Sequence, residues 1–154
     1  MRTVAFAAAI AALCALACGS DENPYVEGNE RILEELPVFP GAVQESVTSS
    51  PYYDEEGPAP SRVAGYTTNV VYDVPADVTD RQVIEFYVLS LQSDWSYQAT
   101  ELPITDTTTG ERVGAVLIVD FRREEATVQV NTDGMSAGEG HTFEVVVDQR
   151  GDPD

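Results

Sequence analysis

Gly65-Tyr66-Thr67-Thr68-Asn69-Val70-Val71-Tyr72-Asp73-Val74 carries the longest period-two pattern in the chain. Tyr66, Thr68, Val70, Tyr72 and Val74 fall on one side and the intervening residues on the other, the signature of a strand with one face buried. Pro75 ends it. Four residues later the period changes. Thr79 with Gln82 forms a capping box, and Val83, Tyr87 and Leu91 then recur on one helical stripe that Ile84 and Val88 widen. Trp95 continues the stripe into the following turn, where it seals one end of the core. A half-buried strand followed by a helix with a broad apolar face predicts a helix laid across a sheet.

Upstream, Asn29 is placed to cap a short helix over 30–36 that Pro37 stops. Pro37-Val38-Phe39-Pro40-Gly41 reads as a stiff turn into a first strand over 43–49, with Val43 and Val47 spaced for one face. A long proline-containing loop, 50–61, carries Asp54-Glu55-Glu56. Downstream, four more strands are expected, over 97–104, 113–121, 126–130 and 143–147. Val113, Ala115, Leu117, Val119 and Phe121 share one face while Val116 and Ile118 occupy the other, so this strand should be internal. Arg122 to Glu125 reads as a tight charged turn, and 132–140 as a glycine-rich loop. The order β-β-α-β-β-β-β predicts an α+β domain: an antiparallel-dominated sheet of about six strands, one main helix on one face, and a short N-terminal helix.

The beginning of the chain has a different character. Met1-Arg2-Thr3 gives a short basic start, Val4 to Ala17 is almost wholly apolar, and Cys18 follows. A run of about 14 apolar residues is too short for a bilayer core that needs roughly 20, which makes it an export signal rather than a spanning helix. Ala15-Leu16-Ala17-Cys18 resembles the lipobox of bacterial lipoproteins. The resemblance implies that Cys18 is acylated and becomes the mature N-terminus, anchoring the chain to a lipid bilayer. With Cys14 removed in the signal, Cys18 is the only remaining thiol, so a disulfide within the mature chain is excluded. Each buried acyl methylene contributes about 0.8 kcal/mol, and stable attachment takes more than one chain, as lipoproteins of this kind carry. Gly19, where the family's inner-membrane retention signal is typically Asp, implies the outer membrane if the source has one. The expected location is the cell envelope, at the outer membrane or the outer face of the cytoplasmic membrane; the alternative is a secreted protein with a chance cysteine.

The segments divide as an export signal over 1–17, the lipidated cysteine and a flexible tether over 18–28, a single domain over 29–150, and a disordered tail over 151–154. Pro37-Val38-Phe39-Pro40-Gly41-Ala42, together with Glu85-Phe86-Tyr87, Leu91 and Trp95, is similar to other small bacterial lipoproteins. That similarity brings no activity with it.

Eight basic residues, all arginine, stand against 27 acidic ones, for a net charge of −19. Nucleic acid binding runs on neutralising phosphates, so this balance excludes a nucleic-acid partner. It describes either a solvated, self-repelling surface or one that recruits cations or a basic partner.

No set of residues with catalytic spacing emerges. His141 is the single histidine, and no serine or threonine sits in a nucleophile elbow. One histidine and no spare cysteine leave no conventional zinc set, and no cofactor is expected. Asn131, Asp133 and Gly134 sit in a loop that fails the EF-hand register, because Gln129 and Gly140 occupy positions that need carboxylates. Asp133 with Glu139 is the remaining cation-binding pair. Exposed aromatics on loops can stack on sugars or anchor a protein partner, which makes Tyr52 and Tyr53, beside Asp54, Glu55 and Glu56, the candidate binding surface. The alternative for these tyrosines is that both pack under the loop. The expected role is a noncatalytic envelope module that binds a protein or glycan partner; the alternatives are a carboxylate-dependent envelope hydrolase and an acidic cation-binding module.

Overall fold

The computed structural model describes residues 23–53, 63–136 and 141–149. The export signal, Cys18, the Asp54–Glu56 run, Glu139 and the tail over 151–154 lie outside the described residues. The elements run α1 (Pro24–Glu35), β1 (Val43–Tyr53), β2 (Val63–Asp73), α2 (Asp80–Leu91), β3 (Ser96–Thr105), β4 (Arg112–Arg123), β5 (Ala126–Asn131), the short α3 (Asp133–Ser136) and β6 (Thr142–Gln149). The six strands form one antiparallel sheet in the order β1-β2-β6-β5-β4-β3. The α+β class and the β-β-α-β-β-β-β order read from the sequence hold.

Two rows of side chains cross the face of the sheet that α1 and α2 cover. Val70, Val145, Val130, Val119 and Ala99 are successive cross-strand partners, as are Thr68, Val147, Val128, Phe121 and Tyr97. Val83, Tyr87 and Leu91 of α2 and Trp95 are buried against this layer. The Thr79–Gln82 capping box is present: Gln82 N–H donates to Thr79 Oγ1 at 3.3 Å, and Thr79 N–H donates to Gln82 Oε1 at 2.8 Å. Phe143 is fully buried and packs edge-on against Tyr87 and Phe39, with Tyr72 stacked beside it. The chain enters β1 through a turn closed by Ala42 N–H to Phe39 C=O, with Gly41 at φ +83°, a backbone region that favours glycine.

Four local expectations change. The N-terminal helix starts at Pro24, not after Asn29, and Asn23 caps it by accepting from Tyr25 N–H. Proline at the first helical position has its φ already set for a helix and no N–H to leave unpaired, so Asn23-Pro24 is the stronger start signal. Residues 24–28, assigned above to a tether, are therefore helical. Strand β1 runs to Tyr53, and a register shift between Gln44 and Ser46 inserts one residue. That bulge puts Val43 opposite Asp73 and Val47 opposite Val70, so the two valines do not share a face, and both are exposed. The charged turn shrinks to Glu124-Glu125, with Arg122 and Arg123 in β4 and Glu124 at φ 54°. A short helical turn, α3, opens the glycine-rich loop, stabilised by Asp133 N–H donating to Asn131 Oδ1. Strand β4 is internal, lying between β3 and β5, as its two-faced apolar pattern predicts.

Candidate functional site

The site singled out by the sequence lies at the end of the β1-β2 hairpin, and its two tyrosines part company there. Tyr52 pairs with Gly65, and its ring lies so close that a Cβ at Gly65 would sit 2.6 Å from Tyr52 Cζ. Its hydroxyl donates to Asp148 Oδ1 on β6 at 3.1 Å, bridging across β2. The glycine makes room for an aromatic ring laid over its strand. Tyr52 is thus half-buried and holds the hairpin to the sheet, whereas Tyr53, at the strand end, is exposed.

This end of the sheet is also where α1 is fastened. Asn29 is completely buried. Its Nδ2 donates to Tyr66 C=O at 2.7 Å and to Thr68 Oγ1 at 3.2 Å, while its Oδ1 accepts from Gln149 N–H at 2.9 Å. Thr68 Oγ1 continues the chain to Ser49 Oγ at 2.9 Å. One side chain therefore ties the helix to β2 and β6, and the network reaches β1. Gly28 lets the helix come close, since a Cβ there would run into the Gln149 carboxamide. Tyr25 stacks on Tyr66 at the same end. At the other end of α1, Glu35 pairs with Arg123 at 2.7 Å, and the Arg123 guanidinium sits over the Trp95 ring at 4.4 Å. Asn29, expected from sequence to cap the helix, instead lies inside it and bonds to the sheet, and nothing local to Asp148 marks its bond to Tyr52. The one available signal was Gly28-Asn29 itself, a poor helix-forming pair inside a helical stretch.

His141 is exposed immediately before β6, and its carbonyl accepts from Val74 N–H at 2.8 Å, extending the β2-β6 ladder. It borders a depression of about 360 Å³ with Val78, Thr79, Asp80, Gly114 and Met135. A smaller depression, about 170 Å³, is lined by Ser96, Tyr97, Gln98, Asp120 and Arg122. A glycosidase couple needs two carboxylates facing one another. Among the described residues, the first of these depressions is lined by one carboxylate, Asp80, and the second by one, Asp120. Among the described residues no group of three or more His, Cys, Asp or Glu side chains could hold a metal ion, and no helix is long and apolar enough to cross a membrane. Asp133 is exposed.

The helices cover one face of the sheet. The other carries Thr48, Asn69, Val146, Gln129, Asp120 and Gln98 in one cross-strand row, and Ser46, Val71, Glu144, Asn131, Ile118 and Thr100 in the next. This mixed surface is dominated by uncharged polar side chains. The chain matches no family model, no curated protein and no solved structure.

Proposed function

We propose that this protein is an envelope lipoprotein, held to a bilayer through acylated Cys18, whose α+β body is a noncatalytic module binding a protein or glycan partner outside the cytoplasm. The observation that carries the proposal is the basic-apolar-small pattern of Met1 to Ala17 ending at Cys18. The geometry of α1 is compatible with it. The helix begins at Pro24, so residues 19–23 are all that separates the anchor from the domain, a reach of at most roughly 20 Å. Exposed Tyr53, with the acidic run after it in sequence, is the recognition element of this reading, and Tyr52 serves the hairpin.

Two measurements test the two halves separately. Cys18→Ser is expected to move the protein from the membrane to the soluble fraction; unchanged membrane retention overturns the anchor. In-cell crosslinking followed by mass spectrometry is expected to recover one dominant envelope partner, and Tyr53→Ala is expected to lose it with an unchanged melting curve. Recovery of the same partner at the same yield from Tyr53→Ala removes that residue from the interface.

A further inference from the structure

The β3 edge of the sheet differs from the rest of this molecule in charge. Over a chain of net charge −19, strands β3 and β4 carry Arg112, Arg122 and Arg123 against only Glu101 and Asp120. Glu101 and Arg112 are paired with each other, Arg123 is paired with Glu35 of α1, and Asp120 accepts from Gln129 Nε2 at 2.8 Å, so Arg122 and Asp120 leave the two strands close to neutral. The opposite edge, β1 with β2, carries Glu45 and Asp73 and no arginine. Two copies of so acidic a chain repel nearly everywhere, and least along β3.

Among the described residues, β3 has no partner strand on its outer side. Thr132 N–H donates to Leu117 C=O, and Leu117 N–H donates to Thr132 Oγ1, so the odd-numbered residues of β4 turn their backbone groups toward β5. The even-numbered ones then face β3 and bond to Ser96, Gln98, Thr100, Leu102 and Ile104, their register partners. Tyr97, Ala99, Glu101 and Pro103 consequently point their backbone groups away from the sheet. Pro103 agrees with this, since it has no N–H to give and belongs at an outward position. Register is unbroken from Ser96 to Ile104, and nearly every side chain along it is exposed. No lysine guards this edge, and the proline covers only its far end.

We propose that β3 is a self-association strand: a second copy of this chain adds antiparallel to it, about a two-fold axis at Ala99. Placing the axis at Ala99 sets a small residue against its own copy. Tyr97 then faces Glu101 of the other chain, a phenol donor against an acceptor-only carboxylate. Gln98 faces Thr100, again an amide against a hydroxyl. The pairing makes about six new backbone hydrogen bonds and joins two sheets into one. The bulk negative charge of each copy opposes it, so added salt strengthens the dimer. The inference does not depend on the anchor or on Tyr53.

Sedimentation of the full chain in mild detergent tests it. A monomer–dimer equilibrium is expected, shifted toward dimer by salt. Ala99→Lys sets two ammonium groups against each other across the axis and is expected to weaken the dimer by about tenfold or more, while Val47→Lys on the opposite edge leaves it unchanged. A monomer at every concentration overturns the proposal, as does a dimer indifferent to Ala99→Lys or lost in Val47→Lys. A second readout covers misfolding of the lysine variant. With Cys14 and Cys18 replaced by serine, mild oxidation should crosslink Ala99→Cys, whose Cα atoms would lie about 5.5 Å apart across the axis, in preference to Val47→Cys. Equal or absent crosslinking at position 99 overturns it.

Discussion

Asn29 has three hydrogen bonds and no contact with water. Removing it leaves the Tyr66 carbonyl and the Gln149 N–H without this partner in a partly buried setting, and takes from the buried Thr68 hydroxyl one of its two bonds, the one to Ser49 remaining. Buried groups left without a partner cost more than the net value of the bonds they made. We expect Asn29→Ala to destabilise the domain by about 2–3 kcal/mol, measured by denaturant unfolding. A change below about 0.5 kcal/mol would mean that water takes over these groups. The same logic separates Tyr52 from Tyr53. Adjacent residues in a strand point to opposite faces, so one ring lies over Gly65 and reaches Asp148 while its neighbour meets solvent. Sequence alone treats them as a pair, because neither the strand's extension to Tyr53 nor the position of β6 can be read locally.

At the scale of elements, α2 was legible throughout and α1 only in its second half. Helix α2 combines a capping box with an apolar stripe, and both are local signals. Thr79→Ala removes the hydroxyl that accepts from Gln82 N–H and is expected to cost about 1 kcal/mol, read as a lowered melting temperature. Full stability in that variant would mean that the Asp80 carboxylate, bonded to Arg81 N–H, suffices to hold the first turn. Helix α1 has a weak interior, with Gly28 and Asn29 in place of good helix formers. It forms because tertiary packing overrides propensity: Ile32 enters the core, and Asn29 bonds to two strands. The bulge near Gln44 in β1 was equally hidden, since an inserted residue shows itself only against a partner strand.

At the scale of the whole molecule, the aromatic cluster sets the alkaline limit. Burial raises the pKa of Tyr72 above 10.0, and burial followed by the neighbouring Tyr72 raises that of Tyr87 much further. A raised folded-state pKa means that the native protein holds these protons more tightly than the unfolded chain. The stability involved is fully present below about pH 10 and is lost as pH rises through the folded values. Melting temperature should therefore fall above about pH 10, with the phenolate absorbance of Tyr72 and Tyr87 appearing together with unfolding. Tyr87→Phe should flatten that loss. Ionisation of all tyrosines before any unfolding would show that burial does not protect them.

The sequence by itself determined the α+β class, the number of strands, the α2 stripe and the core residues of β2, β4, β5 and β6, because each rests on a period readable within a few residues. Only the tertiary structure decided the strand order β1-β2-β6-β5-β4-β3, which ends on β3, the docking of α1 through Asn29, and the different exposure of Tyr52 and Tyr53. Each of these depends on which distant strand lies alongside. Pairing across β2 and β6 joins residues some 75 positions apart, as with Val70 and Val145, and no local pattern encodes that choice.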